Sequence, residues 1–172
     1  MLMQMIKIII LFAIFILSNF IGRTISLKYK YRLEELKEMK SMLNIFKTKI
    51  KFTYETIPEI FDEISKKTNS NIGKIFFNAK EYMEKGNTAD DSWKMSIKET
   101  KNNLNEEDKN TLNIMSKMLG ESDVEGQVSQ IDITLNFLEE QIEEAMQEKN
   151  KNERLYKKLG TIMGLGLVII LV

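Results

Sequence analysis

Apolar positions are arranged in two ways along this chain. At the ends they are nearly continuous: residues 8–22 carry no charge between Lys7 and Arg23, and residues 159–172 carry none after Lys157 and Lys158. Between the ends they recur at three- and four-residue spacing, which places them on one face of a helix. Leu36, Met39, Leu43, Phe46 and Ile50 make one such stripe; Val128, Ile131, Leu135, Leu138, Ile142 and Ala145 make another. Shorter stripes follow Ile57, Ile60, Phe61 and Ile64, then Ile72, Ile75, Phe76, Ala79 and Met83, then Leu112, Met115 and Leu119. Trp93, Met95 and Ile97 are assigned to the remaining one.

Helix starts are marked by capping residues with an acidic partner three positions on: Thr56 with Glu59, Thr88 with Asp91, Asn105 with Asp108, and Ser122 with Glu125. Asn69-Ser70-Asn71, Lys85-Gly86-Asn87 and Gly120-Glu121-Ser122 read as turns. Pro58 is the single proline, and no run of alternating β-branched residues suggests a strand. The prediction is an all-α fold, a six-helix bundle with helices over 24–54, 57–67, 71–85, 89–102, 106–119 and 123–158, tethered by membrane helices at both ends.

The N-terminal segment, residues 1–22, is long enough to span a bilayer if Lys7 snorkels to one edge. A cleaved secretory signal is the rival, but Ser18-Asn19-Phe20 lacks the small residues a cleavage site needs, so an uncleaved anchor is expected. Residues 159–172 reach roughly 21 Å as a helix against roughly 30 Å for a bilayer core, so the tail is read as a re-entrant or mismatched membrane segment. Snorkelling by Lys157 and Lys158 would lengthen it by a turn; a tail packed inside the protein is the alternative. Residues 23–158 are then one helical domain. Both long stripes stop short of the membrane segments, at Leu36 and at Ala145, which predicts helical arms of roughly 21 Å between bundle and bilayer.

Composition narrows the chemistry. All 25 acidic residues and all but one of the 25 basic ones lie within residues 23–158, so the domain is electrically balanced and offers no footprint for nucleic acid. The chain has no histidine and no cysteine, which removes the commonest general base, the thiolate nucleophile, disulfides and most zinc sites. No enzyme, cofactor, metal or small-molecule substrate is expected. The basic residues flank the membrane segments on the domain side: Arg23, Lys28, Lys30 and Arg32 after the first, and Lys149, Lys151, Arg154, Lys157 and Lys158 before the second. By the positive-inside rule the domain faces the cytoplasm, with Arg23, Lys28, Arg154, Lys157 and Lys158 at the headgroups of membrane lipid.

Three constellations stand out. Glu139, Glu140, Glu143 and Glu144 repeat at helical spacing with no compensating lysine in the same helix until Lys149. Such a run is either a solvated face or a docking surface for a basic partner. Gly160 and Gly164 stand one turn apart in the tail, suiting close helix packing either on the first anchor or on a partner subunit. Asp90-Asp91 and Glu106-Glu107-Asp108 sit at helix starts, where they offset the dipole. Trp93 lining a pocket with Asp90 and Lys94 would instead point to an enzyme.

Across the whole chain the order of features resembles the stage III sporulation protein AB family of endospore-forming bacteria. The likeness lies in the short anchor with a basic helix after it, Tyr54-x-x-x-Pro58, Ser92 to Ile97, Leu104 to Asp108, Met118 to Asp123, Gln127 to Ile131, and Asn152 to Gly160 before the glycine-bearing tail. The family is itself similar to the cytoplasmic domain of the platform protein, component F, of type II secretion and type IV pilus systems. The resemblance implies a non-enzymatic platform or adaptor in the mother-cell membrane. It would couple a secretion-type ATPase to membrane subunits of a sporulation channel toward the forespore. A two-anchor sensor binding a small ligand outside the cell has a similar outline; the basic flanks and the absence of a signalling module after Val172 speak against it.

Overall fold

The computed structural model describes the backbone of residues 2–171, and the side chains among them except those of residues 2–4, 7, 8, 157 and 171. Six α-helices and no strand are present among the described residues: α1 (Leu2–Phe52), α2 (Ile57–Ser65), α3 (Asn71–Glu84), α4 (Ala89–Glu99), α5 (Glu106–Ser116) and α6 (Val124–Leu171). The all-α prediction holds, with one difference at each end. The N-terminal apolar segment and the first long helix are one 51-residue helix, and the last long helix and the tail are one of 48. No proline interrupts either junction, and a lone glycine costs a helix only about 1 kcal/mol relative to alanine.

Capping follows the sequence closely. The Glu59 carboxylate accepts from the Thr56 backbone N–H at 2.7 Å and from its hydroxyl at 2.8 Å. Thr88 accepts from the Asp91 N–H at 3.1 Å, and Asn105 and Asp108 exchange bonds of 2.7 and 2.8 Å. At α6 the cap is Asp123, which accepts from the Gly126 N–H at 2.8 Å, and not Ser122, whose hydroxyl donates to the Met118 carbonyl. The turns after α3 and α5 use Gly86 and Gly120 at φ of 94° and 76°, where a side chain would be strained.

The chain divides into two compact units, Arg32–Glu144 and Met1–Tyr31 with Ala145–Val172. In the first, α2 packs on α3, α3 on α4, and α4 on α5. Its centre is an aromatic cluster: Phe61 lies 4.9 Å from Phe46, 5.1 Å from Phe76 and 5.5 Å from Trp93, ring centre to ring centre. All four rings are fully buried, and the Trp93 indole N–H donates to the Leu112 carbonyl at 3.0 Å. Trp93 is therefore core, and its one polar atom is satisfied within it. Leu36, Met39, Leu43, Ile60, Ile64, Ile72, Ile75 and Leu112 are likewise fully buried. Met95 is only half-buried, because two residues past Trp93 a helix has turned its side chain away; Ser92 and Ser96 take the buried positions instead.

In the second unit two helical segments pack antiparallel at glycine. A Cβ on Gly22 would stand 2.6 Å from the Tyr156 carbonyl oxygen, and one on Gly160 would stand 3.0 Å from that of Ser18. The Ser18 hydroxyl donates to the Gly160 carbonyl at 2.8 Å, and Tyr29 stacks on Tyr156 at 5.9 Å. Outside this contact the apolar side chains are bare: Ile9, Phe12, Leu17 and Phe20 on α1 and Ile162, Met163, Ile169 and Ile170 on α6 are all more than half exposed. Among the described residues α1 is the one helix long and apolar enough to cross a membrane.

Candidate functional site

A polar centre inside the Arg32–Glu144 unit joins three helices. Arg32, 6 % exposed, donates from Nε and Nη2 to the two carboxylate oxygens of Asp108 at 2.8 and 2.9 Å. Asp108 is completely buried and also accepts the Asn105 N–H, so α5 is capped by the group that neutralises α1. Arg32 reaches Glu144 of α6 as well, at 3.2 Å. Such bidentate charge-assisted bonds compensate burial only while both ions are present.

One turn further along, Glu35 is also buried. It accepts the Asn103 backbone N–H at 2.6 Å and the side-chain amides of Asn103 at 2.9 Å and Asn71 at 3.4 Å. Arg32 and Glu35 thus fasten α1 to the start of α5, the loop before it and the start of α3. The sequence reading placed Arg32 among the basic flanks and Asp108 among the helix caps, and so missed their pairing. The signal was present: Arg32 is in phase with Leu36 and Met39, and Asp108 with Leu112 and Met115. A charge on an apolar stripe needs an opposite charge on another.

The acidic run on α6 is less bare than its own helix suggests. Glu139 pairs with Lys40 at 2.7 Å and Glu144 with Arg32, so the compensating cations come from α1 across the bundle. Glu140 and Glu143 remain exposed and have no ion-pair partner among the described residues. Lys47 and Asp132 add a further α1–α6 pair at 2.7 Å.

The other carboxylate groups serve local structure. Burial pushes Asp90 up, but the Lys94 ammonium and the Ser116 hydroxyl, each 2.5 Å away, outweigh it and hold the carboxyl below its usual range. Trp93, the third residue of the trio with Asp90 and Lys94, is fully buried in the aromatic cluster. No group of three or more acidic side chains that could hold a metal ion occurs among the described residues.

In the other unit Gly160 and Gly164 both face α1. A Cβ on Gly164 would meet the Phe15 ring at 2.9 Å. Arg23, Lys28, Arg154 and Lys158 are exposed beside these segments; the Lys157 side chain, with Met1 and Val172, lies outside the described residues.

A family model described as Stage III sporulation protein AB matches residues 7–172. The chain belongs to this family. It is 24 % identical over 146 residues to Stage III sporulation protein AB of Bacillus subtilis (strain 168), a match covering 83 % of this chain and 85 % of that protein. A solved structure of Stage III sporulation protein AB has the same fold, with a TM-score of 0.67 at 18 % identity over 70 % of this chain and 98 % of that one. The chain is thus a sporulation protein of the stage III AB family, and its bare N-terminal apolar helix points to membrane association.

Proposed function

We propose that this chain is a non-enzymatic platform or adaptor subunit of a secretion-like channel complex between mother cell and forespore. Its bundle faces the mother-cell cytoplasm and couples a secretion-type ATPase to membrane subunits. The observation that carries this reading is the division of labour among charges. The buried ones, Arg32, Asp108 and Glu35, are consumed in holding helices together, while Glu140 and Glu143 are left exposed on the outer face of α6. Buried charges that are each paired, among the described residues, and exposed carboxylates that are not, suit a protein that binds partners more than one that turns over a substrate. The chain's lack of histidine and cysteine supports the same reading.

Reversing all four acids of the α6 run would break the Lys40 and Arg32 pairs, so the informative variant is Glu140→Lys with Glu143→Lys. In sporulating cells it is expected at normal level in the membrane fraction. Heat-resistant spores should fall by at least a hundredfold, and recovery of a secretion-type ATPase with the tagged protein should fall with them. Normal spore counts would sink the reading.

A further inference from the structure

Beside that face, α5 and α6 enclose an open recess of about 380 Å³. Glu107, Ile114, Phe137, Glu140, Gln141 and Glu144 line it. Ile114 and Phe137 are large apolar side chains left nearly half exposed, at 46 % and 47 %. Three of the polar side chains around them are carboxylates. Glu107 and Glu140 are exposed carboxylates without an ion-pair partner among the described residues, and Glu144 shares Arg32 with Asp108. Gln141 is different, being 7 % exposed: its amide N–H donates to the Thr111 hydroxyl at 2.9 Å, while its Oε1, buried, has no hydrogen-bond partner. The recess is therefore edged by three carboxylates, with the Thr111 hydroxyl already accepting the Gln141 amide at its floor, and offers acceptors far more than donors.

Occupants can be separated by chemistry. A metal ion is disfavoured, since no three acidic side chains come together in a metal-binding arrangement among the described residues. An anionic lipid headgroup would be repelled. What fits is a positively charged donor carried on an apolar scaffold. We propose that this recess receives an arginine or lysine side chain from a basic amphipathic helix of a partner protein, whose apolar positions cover Ile114 and Phe137. Guanidinium is the better match, because its planar fork serves a carboxylate through two parallel bonds. The proposal rests on the reading of the bundle as a docking platform and gives that platform's partner a chemistry.

The test uses the full chain in phosphatidylcholine nanodiscs, with empty nanodiscs as the blank. The probe is a fluorescein-labelled helical peptide with leucine and arginine on adjacent faces, and a second peptide carries glutamate in place of arginine. The arginine peptide is expected to bind saturably by anisotropy. Affinity should fall at least tenfold when Glu107→Gln and Glu140→Gln are combined, and likewise in Phe137→Ala, while Glu121→Gln, outside the recess, leaves it unchanged. All four positions are exposed, so the helical circular dichroism of each variant should match the parent. Equal affinity of the Glu107/Glu140 variant and the parent, equal binding of the glutamate peptide, or no binding at all would overturn the proposal. With the bundle separately shown to face the cytoplasm, any of these results removes the recess and leaves the platform reading intact. An external bundle removes the platform reading itself.

Discussion

Arg32 and Asp108 show how much of the fold hangs on single side chains. Removing one member of a buried ion pair strands the other, at a cost of about 3–5 kcal/mol. Asp108→Ala should therefore lower the unfolding free energy of the full chain in detergent by that amount, read from urea titrations followed by circular dichroism. Glu139→Gln breaks a pair whose carboxylate is 64 % exposed and should cost no more than about 1 kcal/mol. If the two variants unfold alike, the Arg32–Asp108 pair is not the fastening described above.

Glu59 gives a pH signature at the same scale. Its bonds from the Thr56 backbone N–H and hydroxyl hold the carboxyl below its usual 4.5. A group depressed in the folded state adds stability that is complete above its unfolded pKa and is lost as pH falls through the folded one. Between roughly pH 5 and pH 3 the parent should lose stability more steeply than Glu59→Gln, whose cap cannot titrate. Parallel pH profiles would contradict the capping role.

At the scale of elements, the sequence made some features legible and hid others. Stripe, cap and turn are local, so α2 to α5 and the glycine turns could be read from neighbours a few residues apart. The continuity of α1 and α6 was legible only as an absence: the change from apolar to charged sequence suggests a boundary, but no proline stands there to make one. The cations opposite the α6 acids could not be read: Lys40 and Arg32 stand about a hundred residues away and meet Glu139 and Glu144 only after folding. Gly160 left two options open, an internal or an external packing partner, and the structure sets it against Ser18 and Gly22.

That contact carries its own prediction. Asn19 and Thr161 are joined by a 2.8 Å hydrogen bond, so a chain with Asn19→Cys and Thr161→Cys should undergo cross-linking by a short bifunctional thiol reagent. Adding Gly22→Leu, whose side chain would collide with the Tyr156 backbone, should suppress it severalfold. Undiminished cross-linking would mean that glycine is not what lets these segments approach.

For the whole molecule, the family and the helical fold are established, and a helix whose apolar residues are bare points to membrane association. The platform role depends on which side of the membrane the bundle occupies. The chain has no cysteine, so one introduced residue reports that side without background. Ser70 caps α3 through the Gly73 N–H, whereas the neighbouring Asn69 is exposed, which makes Asn69→Cys the better reporter. Labelled with a membrane-impermeant maleimide, it should react after lysis and not in intact cells, as a cytoplasmic bundle requires. Reaction in intact cells would place the bundle outside, beyond reach of any cytoplasmic ATPase, and would make an external sensor the better account.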